Sequence, residues 1–410
     1  MKSSIKAKFK SANPTVVITG GSVVTPAGNI CPGVVVIEDS VIAYVGSPGD
    51  IDIIGRDKAQ YEVIDAHGKI VCPGFIDLHV NGGGGFDITA ATDEAVVGIS
   101  KGHVGCGTTG LLVAITGPTE KIALDGIRAS RRFLDKSTGG ARILGIHMEG
   151  PYVNPKRQGP VFRNCDYTTK PDVAKMKEYV EAANGAMKIV TLAPELNGTA
   201  NVIDFLLAQG IIVSLGHSEA TYEQAKSALD QGITYAAHMF NAMSGVSHSN
   251  PGAALALLLS DDRVTVEVVA DGHHVHPATL KLLFKMKGLK GIVPVSDATE
   301  IVGTNKDSFT LPIEGGFEVK VKDGRTWGPQ GQLIGSVLKM NVAVRNLIEW
   351  TGFSLGEIIN MVSLKPAQLL GLDKDIGSLE VGKKADIVIL NERYEVLQTI
   401  VGGDTVFLQS

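Results

Sequence analysis

The stretch ILGIHMEGPYVNP, residues 143–155, places His147 and Glu149 at the end of a run of apolar residues, directly before Gly150 and Pro151. A continuous apolar run of this kind is typical of a strand that is buried on both faces of a parallel sheet. A carboxylate at the end of such a strand is costly to bury unless another group pairs with it. The stretch therefore predicts a buried parallel strand whose last residue belongs to a polar site.

Similar apolar runs recur along the chain and alternate with helical patterns such as SEATYEQAKSALDQG. The predicted strands are residues 74–80, 110–116, 143–149, 188–195, 211–217, 233–238, 264–271 and 291–297. Strands and helices that alternate in this way predict a (β/α)8 barrel of the TIM type, with a doubly wound sheet as the alternative. Almost every run ends in His, Asp, Glu or Thr, and a barrel places its chemistry at the carboxyl ends of its strands.

Both ends of the chain have a different pattern, with short alternating strands separated by Gly, Pro and Asp. This pattern predicts a small β module at each end. Because each end has few strands with which to bury a core, we expect them to pair rather than to form two separate appendages. The predicted domains are a β-sandwich from residues 1–72 plus 377–410 and a barrel from residues 73–376.

Composition excludes some classes of function. The formal net charge of −5 over 410 residues gives no electrostatic basis for binding nucleic acid. No apolar run approaches the roughly 18 residues of a membrane span, so we expect no membrane partner. The 4 cysteines are scattered without a CxxC spacing. They are typical of idle thiols in a reducing compartment and predict a cytoplasmic protein.

Polar residues at the strand ends form a candidate metal site. His79, His217 and His238 each end a predicted strand, as do Glu149 and Asp297. One such histidine is usually only a hydrogen-bonded polar residue. Several imidazoles and carboxylates on one rim instead indicate a metal site with open positions, which suits hydrolysis. His147 is either a further ligand or a support for one. Asp297 could move a proton from water to a leaving group.

Several motifs follow one another in order along the chain: PGFIDLHVNGGGG, HMEGPYVNP, TLAPE, LGHSEATYEQA, HMFNAMSG, ADGHHVHP, VSDAT, GSVLKMNVAVRNLIE and SLKPAQLLGLDKDIGSLEVGKKADIVIL. Together they resemble the N-acetylglucosamine-6-phosphate deacetylase family of the amidohydrolase superfamily, over essentially the whole chain. The resemblance implies hydrolysis of N-acetylglucosamine 6-phosphate to glucosamine 6-phosphate and acetate.

The resemblance also implies roles for individual residues. Glu149, His217 and His238 would bind one divalent metal ion per subunit, zinc in the first place, with iron, manganese or cobalt as alternatives. Because the His-x-His motif of two-metal relatives is here His79-Val80-Asn81, a second site using His79 and Asp297 would be weak. Asp297 would be the general base and then the general acid. His274 would stabilise the oxyanion.

For the substrate, the resemblance implies contacts to the phosphate end and to the sugar. Asn241 and Ala242 would meet the phosphate, and Leu333, Ile334 and Gly335 would line the sugar pocket. The further expected substrate contacts are Pro160, His248, Asp271 and His274. The family is dimeric, so we expect a homodimer in which the partner subunit lies near the site.

Two departures from the family pattern leave the substrate open. Val161 stands where the family has a histidine that contacts the substrate, and Ser249 stands where it has an arginine that reaches the phosphate. Losing a bidentate phosphate donor is a large change, although Lys156, Arg157 or Arg163 could supply the charge. The alternatives are an isomeric or unphosphorylated N-acetylhexosamine, another amidohydrolase reaction such as deamination, and, with least support, a non-catalytic scaffold.

Overall fold

The computed structural model describes residues 15–50, 61–159, 166–311 and 316–409. The first described elements are strands that belong to two sheets. These strands are β1 Thr15–Thr19, β2 Ser22–Thr25, β3 Gly28–Ile30, β4 Val34–Glu38, β5 Val41–Gly46, β6 Tyr61–Asp65 and β7 Ile70–Pro73.

A central region of alternating strands and helices follows. Its first part comprises β8 Phe75–Val80, β9 Gly82–Gly83, β10 Phe86–Asp87, α1 Asp93–Gly102, β11 Thr108–Ile115, α2 Glu120–Arg131, β12 Arg142–Glu149, α3 Val173–Ala183 and β13 Met187–Leu192. Its second part comprises α4 Thr199–Ala208, β14 Ile212–Leu215, α5 Tyr222–Gln231, β15 Tyr235–Ala236, α6 Ala253–Leu258, β16 Thr265–Val268, α7 Pro277–Lys287 and β17 Ile292–Pro294.

The remaining elements form a small sheet, three helices and the last strands of the chain. They are β18 Ser308–Thr310, β19 Glu318–Lys322, β20 Arg325–Trp327, α8 Met340–Thr351, α9 Leu355–Val362, α10 Leu364–Leu369, β21 Ile387–Leu390, β22 Val396–Val401 and β23 Asp404–Leu408. Throughout the described ranges, every helix is too short or too polar to span a bilayer.

The central region is an eight-stranded parallel barrel, as the sequence predicts. The strand order is β17-β16-β15-β14-β13-β12-β11-β8, so that neighbours along the chain are neighbours in the sheet. The first and last strands meet just beyond β17, where Val80 forms a parallel bridge with Ala298. The backbone N–H of Asp297 also donates to the carbonyl of His79 over 3.0 Å. Closure therefore brings the residues after β17 beside the end of β8.

The two ends of the chain pair, as predicted. Strand β21 runs antiparallel to β7, with Val388 opposite Cys72, and this pairing builds the six-stranded sheet β23-β22-β21-β7-β2-β3. A four-stranded sheet, β5-β4-β1-β6, faces it. Ile18 and Val35 from this second sheet share one apolar core with Ile387 from the first. The division at residues 72/73 and 376/377 stays a prediction.

Local sequence explains where several helices begin. In α5, the Thr221 side chain accepts from the backbone of Gln224, whose side chain in turn accepts from the backbone of Thr221. Ser354 and Glu357 form the same reciprocal arrangement at the start of α9. Such capping boxes satisfy N–H groups that have no partner inside the helix. They fix the start of these two barrel helices.

Candidate metal centre

The polar residues of the predicted site lie at the carboxyl ends of the barrel strands. Glu149 ends β12 and His79 lies within β8, whereas His217, His238 and Asp297 come after β14, β15 and β17. These last three residues were expected inside their strands. The strands end earlier because φ is +48° at His217, +28° at His238 and +50° at Asp297. Left-handed backbone is uncommon for residues other than glycine, and such backbone is concentrated at functional sites.

Glu149, His217 and His238 converge on one point. Oε1 of Glu149 lies 2.9 Å from Nε2 of His217 and 3.2 Å from Nε2 of His238. The two Nε2 atoms are themselves 3.2 Å apart. All three residues are buried. The sequence predicts this set of three metal ligands, and the structure brings them together from three different strands.

The other ring nitrogens decide which atoms are available to a metal. Nδ1 of His217 lies 2.8 Å from the carbonyl of Arg157, and Nδ1 of His238 lies 3.2 Å from the carbonyl of Asn241. A carbonyl only accepts, so each Nδ1 carries a proton and each neutral ring presents a lone pair on Nε2. Two lone pairs and a carboxylate oxygen in such close contact repel one another unless a cation lies among them.

The donor set fits a zinc-type ion. Nitrogen and oxygen ligands at about 2.0–2.1 Å from a tetrahedral zinc ion lie about 3.3 Å from one another. The separations between the atoms of Glu149, His217 and His238 are close to this value. Backbone carbonyls that orient the ligand imidazoles are also usual at metal sites. We conclude that these three residues are suited to hold a divalent ion.

His79 lies behind Glu149 and is completely buried. Its Nδ1 lies 2.8 Å from Oε2 of Glu267, and its Nε2 lies 3.3 Å from Oε2 of Glu149. Glu267 also accepts the backbone N–H of His238 over 3.1 Å. Burial lowers the pKa of His79, but the carboxylates of Glu267 and Glu149 outweigh it and hold this pKa well above its usual value. Glu267 thus links His79 to the backbone of a candidate ligand.

His147 does not offer a free nitrogen. Its Nδ1 donates to the carbonyl of Leu78 over 3.0 Å, so its Nε2 accepts from the hydroxyl of Thr191 over 2.7 Å. Burial lowers the pKa of His147 to about 4, which keeps the ring neutral. Of the two roles considered for His147, ligand or support, the contacts favour support.

Asp297 lies beside the cluster. Its Oδ1 accepts from Nδ2 of Asn81 over 2.9 Å and lies 3.8 Å from Nε2 of His79. Burial raises the pKa of Asp297, although the charge of His79 opposes the change. Burial also acts to raise the pKa of Glu149, but the charge of His79 opposes it, and this pKa lies well below its usual range. The two carboxyl groups therefore differ in basicity, and Asp297 is the better proton acceptor.

His274 is held by Asp271. Nδ1 of His274 lies 2.6 Å from Oδ2 of Asp271, while Oδ1 of Asp271 accepts the backbone N–H groups of His273 and His274. Burial lowers the pKa of His274, but the hydrogen bond and charge of Asp271 outweigh it, so this pKa is raised. The arrangement favours an imidazolium whose Nε2–H is available.

One cavity of about 270 Å³ contains the cluster, and this volume suits a small molecule. Its lining combines candidate ligands, Asp297 and His274 with residues from several loops. The lining residues are Asn81, Asp87, Thr116, Glu149, Gly159, His217, His238, Asn241, Ala242, His274, Asp297, Thr299, Leu311, Leu333, Ile334 and Gly335. The expected phosphate contacts and sugar contacts thus share one cavity with the candidate metal ligands.

Two expected substrate contacts lie elsewhere. Asp271 does not line the cavity, because both of its oxygens hold the His273–His274 segment. His248 is exposed and lies outside the cavity of this single chain. Ser249 is exposed as well. The contacts of Asp271 describe support of His274, and its expected contact with the substrate stays a prediction.

The segment after Glu149 is only partly described. Pro160, Val161 and Arg163, to which the sequence assigns substrate contacts or charge, lie outside the described residues. Arg157 is described, and its guanidinium pairs with Glu219. Its positive charge is therefore already matched by a carboxylate on the protein.

Sequence reasoning missed Glu267 and the shape of the four-glycine run. A single Glu inside the apolar run VTVEVV was a signal for a buried partner, and Glu267 is indeed completely buried. The run of glycines at 82–85 forms part of the short β9–β10 hairpin. A Cβ on Gly84 would lie 2.4 Å from the carbonyl oxygen of Gly98 in α1, so only glycine allows this approach. The hairpin carries Asp87 to the cavity.

Comparison with known proteins shows similarity along nearly the whole chain. The model of the Amidohydrolase family matches residues 70–406. The chain is 34% identical over 373 residues to N-acetylgalactosamine-6-phosphate deacetylase of Escherichia coli O157:H7, covering 90% of this chain and 93% of that protein. It is 35% identical over 384 residues to N-acetylglucosamine-6-phosphate deacetylase of Bacillus subtilis strain 168, covering 91% and 96%.

A solved structure agrees with these relatives. The chain superposes with a TM-score of 0.84 on a mutant of N-acetyl-D-glucosamine-6-phosphate deacetylase from Mycobacterium smegmatis, in complex with N-acetyl-D-glucosamine-6-phosphate. The sequences are 28% identical, and the superposition covers 97% of this chain and 100% of that one. The similarity therefore includes both the barrel and the paired terminal strands.

Proposed function

We propose that this chain, which belongs to the amidohydrolase family, hydrolyses the N-acetyl amide of an N-acetylhexosamine 6-phosphate to the free amine and acetate. The chain is a hydrolase of carbon–nitrogen bonds, and its relatives are deacetylases of such sugar phosphates. One observation carries the proposal. Glu149, His217 and His238 share a single small cavity with Asp297 and His274.

In this proposal Oε1 of Glu149 and Nε2 of His217 and His238 hold the metal, one ion per chain. Zinc suits their nitrogen and oxygen donors, and iron, manganese and cobalt are alternatives. When bound, the metal lowers the pKa of water and polarises an amide carbonyl. A second ion at His79 and Asp297 stays a weaker proposal. Nδ1 of His79 lies on Glu267, which leaves Nε2, and Nε2 lies 3.8 Å from Oδ1 of Asp297, an oxygen that already accepts from Asn81.

Asp297 moves the proton. Its carboxylate takes a proton from the attacking water and delivers it to the amine nitrogen as the carbon–nitrogen bond breaks. Burial raises its pKa, which makes it a stronger base than an exposed aspartate. Because the same carboxyl first accepts and then donates this proton, the reaction returns Asp297 to its starting state.

His274 stabilises the oxyanion. Asp271 accepts from Nδ1 and raises the pKa of the ring, which favours the imidazolium form with a proton on Nε2. A positive donor that is already oriented stabilises the negative charge that develops on the acetyl oxygen. Asp271 is a positioning residue in this scheme, since it acts through His274.

The sugar lies across the remaining lining of the cavity. Leu333, Ile334 and Gly335 offer an apolar wall against the sugar ring, and Asn241 and Ala242 lie at the phosphate end. We further propose that Pro160 and His248 contact the substrate in the complete enzyme. The relatives act on both the gluco and the galacto isomers, at 35% and 34% identity. Overall sequence identity therefore does not show which hexosamine isomer is the substrate.

An acetate-release assay tests the proposal. The panel comprises N-acetylglucosamine, N-acetylgalactosamine and N-acetylmannosamine, each with and without a 6-phosphate, at saturating zinc. We expect turnover of at least one 6-phosphate and at least a tenfold preference for it over its unphosphorylated sugar, on the order of one charge-assisted contact. If acetate is released only from the unphosphorylated sugars, then Ser249, in place of the family's arginine, marks a change of substrate specificity. No acetate from any sugar overturns the deacetylase function.

We also propose a cytoplasmic homodimer. The exposed segment that contains Val246, His248 and Ser249 follows Ala242, and Val246 is 56% exposed. The family resemblance implies a dimer whose partner subunit lies near the site, and this exposed segment follows the cavity residue Ala242. Sedimentation of the purified protein tests this, with a dimer expected and a monomer contradicting it.

A further inference from the structure

The side chain of Asn81 makes a contact with Asp297 that bears on the deacetylase reaction and that its residue type alone would not predict. It follows His79 and Val80 at the end of β8, and its side chain lines the cavity. Nδ2 of Asn81 donates to Oδ1 of Asp297 over 2.9 Å. The backbone of the two segments is also joined, because the N–H of Asn81 donates to the carbonyl of Ala298 over 3.1 Å.

The orientation of the Asn81 amide is set by Asp297 rather than by a partner of its own oxygen. Oδ1 of Asn81 is buried and accepts no hydrogen bond from any described residue. Rotating the amide would exchange the two ends, but it would then place an oxygen against the carboxylate of Asp297. Buried polar atoms are rarely left unpaired in proteins, and the exceptions need a reason. Here the reason is the N–H that faces Asp297.

The two oxygens of the Asp297 carboxylate therefore have different surroundings. Oδ1 faces the amide of Asn81 and, at 3.8 Å, Nε2 of His79. Oδ2 receives no hydrogen bond from the described part of the chain, and Asp297 lines the cavity. A carboxylate held at one oxygen cannot rotate freely, so the direction of the other oxygen is fixed as well.

We propose that Asn81 is a positioning residue for Asp297: it holds Oδ1, so that Oδ2 is the oxygen that takes the proton from water and delivers it to the amine. This inference rests on the proposed deacetylase function. It assigns a role to Asn81 that is separate from metal binding, because the amide contacts Asp297 and none of Glu149, His217 or His238.

Two substitutions separate hydrogen-bond donation from the filling of space. Asn81→Asp keeps the shape of the side chain but replaces the N–H with a second carboxylate oxygen, whereas Asn81→Ala removes the side chain. Each variant is reconstituted with one equivalent of zinc, and its metal content and thermal midpoint are measured before the assay. Asn201→Ala, on the exposed face of α4, is the matched control.

We expect Asn81→Ala to lower kcat roughly 10–100-fold, which is usual for a residue that orients a reacting group, with KM within about threefold of wild type. We expect Asn81→Asp to lower kcat further, because like charges then face each other. Metal content and thermal midpoint stay close to those of the control. If Asn81→Asp is as active as wild type, or more active than Asn81→Ala, donation to Asp297 is excluded. Failure of the wild type to release acetate instead overturns the proposed function.

Discussion

Oε2 of Glu267 lies 2.8 Å from Nδ1 of His79, and neither side chain is exposed to solvent. Both charged side chains are buried in the middle of the barrel, where each offsets the cost of burying the other. Burial raises the pKa of Glu267, but the charge of His79 outweighs it, and the pKa is lowered. The carboxylate of Glu267 also accepts the backbone N–H of His238, so this buried pair is hydrogen-bonded to a candidate metal ligand.

Removing one partner of this pair should destabilise the barrel. Glu267→Ala leaves a buried imidazolium without its partner, and we expect the free energy of unfolding to fall by about 3–5 kcal/mol in urea denaturation. Asp230→Ala is the control, because Asp230 forms an exposed pair with Lys226 on α5, and exposed pairs contribute little to stability. Equal losses in the two variants would show that the buried pair does not stabilise the fold.

The metal should depend on each of the three ligands. In His217→Asn we expect the zinc content to fall from about one ion per chain to near zero, because three protein ligands are the usual minimum for an open zinc site. Added zinc should raise the thermal midpoint of the wild type and leave that of the variant unchanged, since only a bound ion stabilises the folded state. His67→Asn, at a site with a 76% exposed side chain, should behave as wild type.

A neutral residue at position 297 should stop the proton transfer without disturbing the site. Asn in place of Asp297 still offers an acceptor oxygen to Nδ2 of Asn81, so we expect zinc content and thermal midpoint to be unchanged. We expect kcat to fall roughly 10²–10⁴-fold, the usual contribution of a general acid–base. Activity within tenfold of wild type would remove Asp297 from the mechanism.

The His274–Asp271 pair should make stability depend on pH in a defined window. Burial opposes both charges, yet pairing lowers the pKa of Asp271 below 3.8 and raises that of His274 above 6.5. The stabilisation is therefore lost as pH falls through the lowered pKa of Asp271, and again as pH rises through the raised pKa of His274. Between these limits His274→Asn should cost about 1.5–3 kcal/mol. A cost that is constant from pH 3 to pH 9 would contradict this reading.

The barrel was predictable from the sequence because burial on both faces requires continuous apolar runs. All eight predicted strands are present, and Glu149 ends β12 at the predicted residue. The strand ends were less predictable. His217, His238 and Asp297 lie in left-handed backbone beyond their strands, and no residue type in the sequence signals a positive φ at a histidine or an aspartate.

The candidate site was predictable where a family pattern exists and not where a contact depends on packing. Glu149, His217 and His238 follow from their motifs, and the structure brings their ligand atoms together. Asn81 was judged only as a poor metal ligand, because its hydrogen bond to Asp297 spans 216 residues of sequence. The hairpin after β8 was not predicted either, because its glycines are required by close contact with α1, which depends on packing rather than on a local pattern.

The contact between that hairpin and α1 gives a last prediction. A Cβ on Gly102 would lie 2.3 Å from the backbone nitrogen of Gly84, so Gly102→Ala must displace the hairpin that follows Asn81. We expect it to lower the free energy of unfolding by about 1–3 kcal/mol, as overpacking does, and to lower kcat as well. Gly356→Ala is the matched control, because in α9 the nearest atom to its Cβ would be 3.9 Å away. It should stabilise the protein by about 0.5–1 kcal/mol and leave kcat unchanged. If Gly102→Ala lowers stability but not kcat, the position of the hairpin does not control the reacting groups.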